Sequence, residues 1–151
     1  MSMFSAFNVN ASGLSAQRLR MDVISENVAN ASTTRTEDGT PYRRKVVTFA
    51  QKGDQTPFSK VLGHVPNGYN SYSGQGVKVD GIYEDYNSEM NMVYDPSHPD
   101  ADENGYVTYP NVNIITEMTN LIDASRAYEA NSTAFSASNS MALQGLELTR
   151  Q

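Results

Sequence analysis

Ile114-Ile-Thr-Glu-Met118-Thr-Asn-Leu121-Ile-Asp-Ala-Ser125-Arg-Ala-Tyr128-Glu-Ala-Asn-Ser132-Thr-Ala-Phe135 carries the pattern from which the architecture follows. Ile114, Leu121, Tyr128 and Phe135 recur at a heptad interval, and Ala142 continues the series. Met118, Ser125, Ser132, Asn139 and Leu146 fill the interleaved positions. Alternating four- and three-residue steps over successive turns predict a helix with a coiled-coil seam. Ala124, Ala127, Ala130, Ala134, Ala137 and Ala142 raise helix propensity and leave room for a second helix to approach. Pro110 precedes this stretch and no proline follows it. A helix from Asn111 to Thr149 would run about 58 Å, well beyond the roughly 30 Å diameter of a small domain. It is expected to protrude.

The seam is thin in apolar bulk. Between Met118 and Leu146 every interleaved position is Ser or Asn. Four large side chains, at about 1.5–3 kcal/mol each, do not offset an ordering cost of about 1–2 kcal/mol per residue. Pairing of the two chain ends in isolation is therefore expected to be marginal, with firm order arriving when neighbours cover them.

Residues 4–31 supply the other end. Phe7, Ala11, Leu14, Met21, Ile24 and Val28 share one helical face, while Ala16, Leu19 and Val23 form a narrower stripe opposite. Two stripes describe a helix touched from two sides, or one sunk in an ordinary core. Asn27, Asn30 and the run Ser32-Thr33-Thr34 are expected to end it, asparagine tolerating a left-handed cap and Ser/Thr favouring turns.

The helix breakers sit between these ends. All six prolines, and every glycine except Gly13 and Gly145, fall within residues 32–110. Short β-branched or alternating runs predict strands at Tyr42–Ala50, Gly76–Tyr86 and Gly105–Tyr109, with a loop over Gly63–Gly76. The expected fold is α+β. A helical arm (1–31) and a second helical arm (111–151) pair as a coiled coil and flank a small β-rich module (32–110).

Composition removes several classes of function. A net charge of −6 argues against a chain built to hold nucleic acid or an anionic membrane. No apolar run is long enough for a transmembrane helix. Asn8, Asn10, Gln17, Arg18 and Arg20 interrupt every candidate secretory core. With no cysteine there is no disulfide framework, thiolate nucleophile or thiolate metal site.

Candidate chemistry is sparse, and no cofactor is called for. Asp100-Ala-Asp102-Glu-Asn104-Gly105 matches the first half of a calcium loop, but its twelfth position is Asn111 instead of a bidentate Glu. Pro96 and Pro99 also block an entering helix, so an Asx/Pro turn is the plainer reading. His64 and His98 lie in loops, and nothing resembles a nucleophile elbow, zinc helix or phosphate loop. Arg43-Arg44-Lys45 beside Tyr42 is too short for a nucleic-acid patch and reads as a strand's polar face or a contact to an acidic neighbour.

Ser12-Gly-Leu-Ser-Ala-Gln-Arg-Leu-Arg-Met-Asp-Val-Ile-Ser-Glu-Asn-Val-Ala-Asn-Ala-Ser-Thr-Thr34 resembles the N-terminal signature of bacterial flagellar rod and hook proteins. Glu117-Met118, Asn120-Leu-Ile122 and Ser125-Arg-Ala-Tyr-Glu-Ala-Asn131 resemble the C-terminal signature. Pro41-Tyr-Arg-Arg-Lys45, Asp95-Pro-Ser-His-Pro-Asp-Ala-Asp-Glu-Asn-Gly-Tyr-Val107 and Pro110-Asn-Val-Asn113 are similar to proximal-rod members of that family.

The resemblance implies a non-enzymatic axial subunit of the flagellar basal body, exported by the flagellar type III apparatus. It would assemble with other rod proteins and copies of itself, next to rotor-ring and export components, into a helical tube that transmits torque. No nucleic acid or small-molecule substrate is implied. Partner contacts are then assigned to Phe7, Leu14, Met21, Ile24 and Val28, and to Ile114, Met118, Leu121, Tyr128 and Phe135. Asn27 and Asn30 end the first helix, and Arg126 and Glu129 make polar contacts between arms or subunits. Two rivals stay open: a dimerising helical hairpin with a soluble regulatory role, and a small calcium-dependent enzyme around Asp100, Asp102 and Asn104.

Overall fold

The computed structural model describes residues 3–52 and 75–148. Two helices bracket two antiparallel hairpins, an α+β arrangement: α1 (Met3–Ala29), β1 (Lys45–Gln51), β2 (Val77–Glu84), β3 (Asn91–Tyr94), β4 (Tyr106–Tyr109) and α2 (Ile114–Leu148). Most of the loop expected at Gly63–Gly76, with His64, lies outside the described residues. No described helix is long and apolar enough to cross a membrane.

The two helices lie side by side and antiparallel. Phe7 meets Phe135 edge to face, with ring centroids 5.3 Å apart. Gly13 lies against Asn131, and Asn27 reaches Glu117 near the opposite end. Asn113 starts α2 by accepting bonds from the Ile115 and Thr116 amides (3.0 and 3.3 Å), satisfying donors that a first turn leaves free. The helix thus begins three residues after the expected Asn111. At 35 residues against 27 for α1, it is about 12 Å longer, given about 1.5 Å of rise per residue.

The inward face of α2 differs from the expected seam in both rows. Leu121 and Tyr128 are half-buried as expected of that face, and Ala142 is buried. Their companions, however, are Glu117, Ala124, Asn131 and Ser138, whereas Ile114 and Met118 are turned outward. Glu117 decides this rotation. Turning Ile114 and Met118 inward would swing a fully bonded carboxylate away from its partners, which costs more than two partly covered apolar side chains return.

Both sides of α1 are covered within the chain itself. One side meets α2. The other receives the β1–β2 hairpin, where the Val77 amide donates to Ser12 Oγ (3.1 Å) and that hydroxyl donates to the Val9 carbonyl (2.7 Å). In β2, Val77, Val79 and Gly81 are half-buried and alternate with exposed Lys78 and Asp80, the period-two pattern of a one-sided strand. The ladder runs from Lys45↔Glu84 to Gln51↔Val77, and Thr48↔Gly81 is followed by Phe49↔Val79, so Asp80 is the extra residue of a bulge.

Strand β1 begins later than expected at Tyr42, because the amides of Tyr42 and Arg44 are taken by Thr33 and Asn111. β3, which the sequence did not announce, pairs with β4 from Asn91↔Tyr109 to Tyr94↔Tyr106. Its four residues are all exposed, so no buried face imposes alternation on them.

Among the described residues the buried apolar side chains are Ala16, Val23, Ile24, Tyr42, Val107, Val112, Ala124 and Ala142, most of them small. Total accessible surface is 11342 Å², against about 7,600 Å² for a compact monomer of this mass by the usual size scaling.

Two glycines should respond to alanine in opposite senses. Gly76 has φ +92° and an added Cβ would lie 2.2 Å from Ser12 Oγ, so Gly76→Ala should cost about 2–3 kcal/mol through backbone strain and a broken dock. Nothing surrounds a Cβ at Gly145 within α2, so Gly145→Ala should gain up to about 1 kcal/mol. Urea unfolding followed by circular dichroism reads both.

Candidate functional site: a buried polar joint and an exposed helix face

The most constrained place in the chain is where both helices meet the approach to β1. Asn27 is completely buried and sits inside α1, two residues before its end, so it does not terminate the helix. Its side-chain amide pairs with one backbone unit as a neighbouring strand would. Nδ2 donates to the Lys45 carbonyl (2.8 Å), and Oδ1 accepts from the Lys45 amide (2.9 Å). Oδ1 also accepts from the Tyr42 hydroxyl (2.8 Å), and Nδ2 donates to Glu117 Oε2 (3.0 Å).

Glu117, 1% exposed, is held from its other side by Arg44. Arg44 Nε and Nη2 approach Oε1 at 2.9 and 2.8 Å, and Nη1 lies 3.8 Å from Asp85 Oδ2. Asn111 completes the cluster by accepting from the Arg44 amide (2.9 Å) and donating to the Asp85 carbonyl (2.9 Å). Every polar side-chain atom of Asn27 and both Glu117 oxygens thus have partners, as burial requires.

This environment acts on its ionisable members. Burial, with Glu26, Glu84 and Glu117 nearby, pushes the Tyr42 hydroxyl up to about 12. The Ser88 hydroxyl and amide hold the Asp85 carboxyl below its ordinary value, with Arg44 adding to the effect. Ser97 does the same for Asp95.

Asn30, by contrast, lies at the end of α1. Its amide and Nδ2 both donate to the Glu26 carbonyl at 3.0 Å. No left-handed asparagine is involved, because every described positive φ belongs to a glycine. The Arg43-Arg44-Lys45 run divides three ways. Arg44 pairs with Glu117 and Asp85, Lys45 pairs with Glu26, and Arg43 stacks over the Tyr86 ring at 4.4 Å.

In the calcium-like loop the acidic side chains take part in bonds within the chain. Asp100 Oδ2 accepts from Thr34 (2.8 Å), while Asp102 Oδ1 accepts from the Asn104 and Tyr106 amides (2.9 and 2.8 Å). The Asp102 bonds close a turn, while Asp100 ties the loop to Thr34 beyond the end of α1. His98 Nδ1 accepts the Asp100 amide (3.1 Å) in the same turn. An open groove of about 600 Å³ lies beside Tyr42, Arg43, Glu84 and Tyr86, and in it the Tyr86 hydroxyl donates to Glu84 Oε2 (2.7 Å).

The assigned partner residues separate into two groups. Ile24 is buried, and Phe7, Leu14, Met21, Val28, Leu121 and Tyr128 are half-buried within the chain. Ile114, Met118 and Phe135 are exposed to differing extents, as are Ile115 and Ile122, which the sequence reading did not single out. Ile115, Met118 and Ile122 step by three and four residues and therefore share one outward flank of α2. Arg126 and Glu129 are also exposed, and neither forms an ion pair among the described residues.

A thin-cored pair of terminal helices, with a small β module between them and apolar residues left outside, is the build of a subunit in a larger assembly. Comparison with known proteins specifies which. Residues 7–35 match the family model described as "Flagella basal body rod protein", and residues 103–148 match "Flagellar basal body rod FlgEFG protein C-terminal". A protein of Borreliella burgdorferi named flagellar basal-body rod protein FlgC is 50% identical over 145 residues, covering 93% of each chain. Proteins of the same name from Bacillus subtilis and Salmonella typhimurium are 46% and 37% identical, with 98% of this chain and 99% and 98% of theirs covered. The chain belongs to the flagellar basal-body rod protein family, among the members named FlgC.

Two measurements probe the joint. Asn27→Ala strips partners from the Lys45 amide and carbonyl, the Tyr42 hydroxyl and Glu117, and should cost about 3–5 kcal/mol in urea unfolding. The raised Tyr42 value means the folded chain keeps a proton that the unfolded chain loses first. Its contribution is therefore intact below about pH 10 and lost as pH rises towards 12. The unfolding midpoint should fall across that window, and Tyr42→Phe should flatten the decline.

Proposed function

We infer that the outward flank of α2 is the surface through which this chain packs among the axial subunits of a flagellum. Membership of the family makes it a structural subunit of the basal-body rod, located in the flagellar basal body. The observation that carries the packing surface is the stripe Ile115, Met118 and Ile122, exposed by 78, 55 and 54% on a helix that is otherwise well formed. Three large apolar side chains at that spacing give a neighbouring helix a continuous ridge to enclose.

In this reading α1 and α2 pair as an antiparallel coiled coil in the wall of a helical tube, the two arms (1–31 and 111–151) inward and the module 32–110 outside. The tube surrounds the export channel and carries torque from rotor to hook. Its neighbours are other rod proteins, copies of the same chain, and rotor-ring and export components. Ile114, Met118 and Phe135, with the rims of Phe7, Leu14, Met21, Leu121, Tyr128 and Val28, contribute to the inter-subunit surface, and Arg126 and Glu129 line its polar edge. Ile24 serves the chain's own core. The work is mechanical and needs neither substrate nor cofactor.

Ile122→Asp tests this directly. The site is exposed, so solution stability should shift by no more than about 0.5 kcal/mol. Loss of one enclosed side chain, at about 1.5–3 kcal/mol, should lower incorporation into basal bodies roughly tenfold or more. Quantitative immunoblots of purified basal bodies and swimming assays read the outcome. Normal incorporation and motility would refute the assignment, and a discrete soluble dimer broken by the substitution would favour the helical-hairpin regulator.

A further inference from the structure

Glu117 is a buried carboxylate that no chemistry of the chain uses. A buried ion pair is poor insurance for stability, since an apolar trio of similar volume often holds a fold equally well. What the polar version adds is direction. Apolar contacts are non-directional and tolerate sliding, whereas an arginine fork on a carboxylate fixes distance and angle together.

Position makes the cluster more than local glue. Among the described residues, Glu117 is the one α2 side chain hydrogen-bonded to the β-hairpin module. The backbone of β1 and β2 packs on α1, and neither hairpin packs element to element on α2. The three residues therefore tie three bodies at one point: α1 through Asn27, α2 through Glu117, and the entrance to β1 through Arg44. Elsewhere, among the described residues, the hairpin is held by the packing of β1 and β2 on α1, the Ser12–Val77 bond and the partly exposed Lys45–Glu26 pair. A rotation of the module against α2 would load the Arg44–Glu117 contact directly.

We propose that Arg44, Glu117 and Asn27 form the clamp through which twist passes between the hairpin module and the helix pair. The proposal rests on the rod reading, because only a subunit under torque needs such a path. Arg44 and Glu117 are the force-carrying partners, and Asn27 positions Glu117.

Force spectroscopy on the full-length chain separates this role from simple stability. The chain has no cysteine, so introduced cysteine pairs give unique handles. Handles at positions 80 and 129 pull the module against α2, and handles at 8 and 139 pull α1 against α2. Glu117→Gln and Arg44→Lys should each reduce the rupture force of the first geometry by half or more and lower the second far less. An unchanged first geometry, or equal losses in both, overturns the clamp. So does complete unfolding of both variants, which would make the cluster a stability element only.

A cell experiment keeps the two readings apart. Absence of the unsubstituted chain from basal bodies would sink the rod reading, and the clamp with it. Arg44→Lys rods should form in normal number but shed filaments several-fold more often in viscous medium. Shedding equal to that of the unsubstituted rod would overturn the clamp while leaving the rod subunit intact.

Discussion

A carboxylate taken out of water must find its full set of donors, and that demand on Glu117 organises everything around it. Stripped of partners, such a group costs several kcal/mol, a large share of the stability of any small domain. Satisfying it needs Arg44 and Asn27 at one point, which forces α1, α2 and the approach to β1 together. The same demand fixes the rotation of α2. With Glu117 inward, Leu121, Ala124 and Tyr128 follow on the same face, and Ile115, Met118 and Ile122 are left outside. One buried charge thus determines both what the chain keeps for itself and what it offers to others.

The rest of the interior supplies little that could compete. Small residues dominate the contact between the helices: Ala124 has no exposed surface, and Gly13 faces Asn131 so closely that a Cβ would meet its amide at 2.8 Å. Small residues let helices approach but return little apolar area, about 25 cal/mol for each Å² removed from water. Much of the specificity therefore comes from directed polar bonds, including Asn27 and Asn111 standing in for absent strand partners.

Much of this was readable from the amino-acid order. The proline-free ends, with one glycine each, gave both helices, and β-branched runs gave three of the four strands to within about three residues. Heptad spacing placed Leu121 and Tyr128 on the half-buried side of α2. What escaped notice was governed by tertiary partners. Periodicity ranks side chains by hydrophobicity, so it placed Ile114 and Met118 in the seam and passed over Glu117, whose inward position depends on an arginine 73 residues away. Asn27 looked like a helix end for a similar reason, since caps and turns are where asparagine usually occurs. β3 left no trace because neither of its faces is buried and its four residues carry no alternation. The clue to the joint was the lone acidic residue in the opening turn of a helix, together with a Tyr-Arg-Arg-Lys run for which an acidic neighbour was one of two expected partners.

The unequal lengths of α1 and α2 have a bearing on any array built from this chain. Partners whose ends were flush would meet their successors at shared transverse planes, and shear would find each plane as a ready fracture surface. With one member about 12 Å longer, the breaks in such an array would be offset from layer to layer, as in brickwork laid in staggered courses. A crack starting at one break would then run into the middle of an adjacent helix, where hydrogen bonds along the axis resist it.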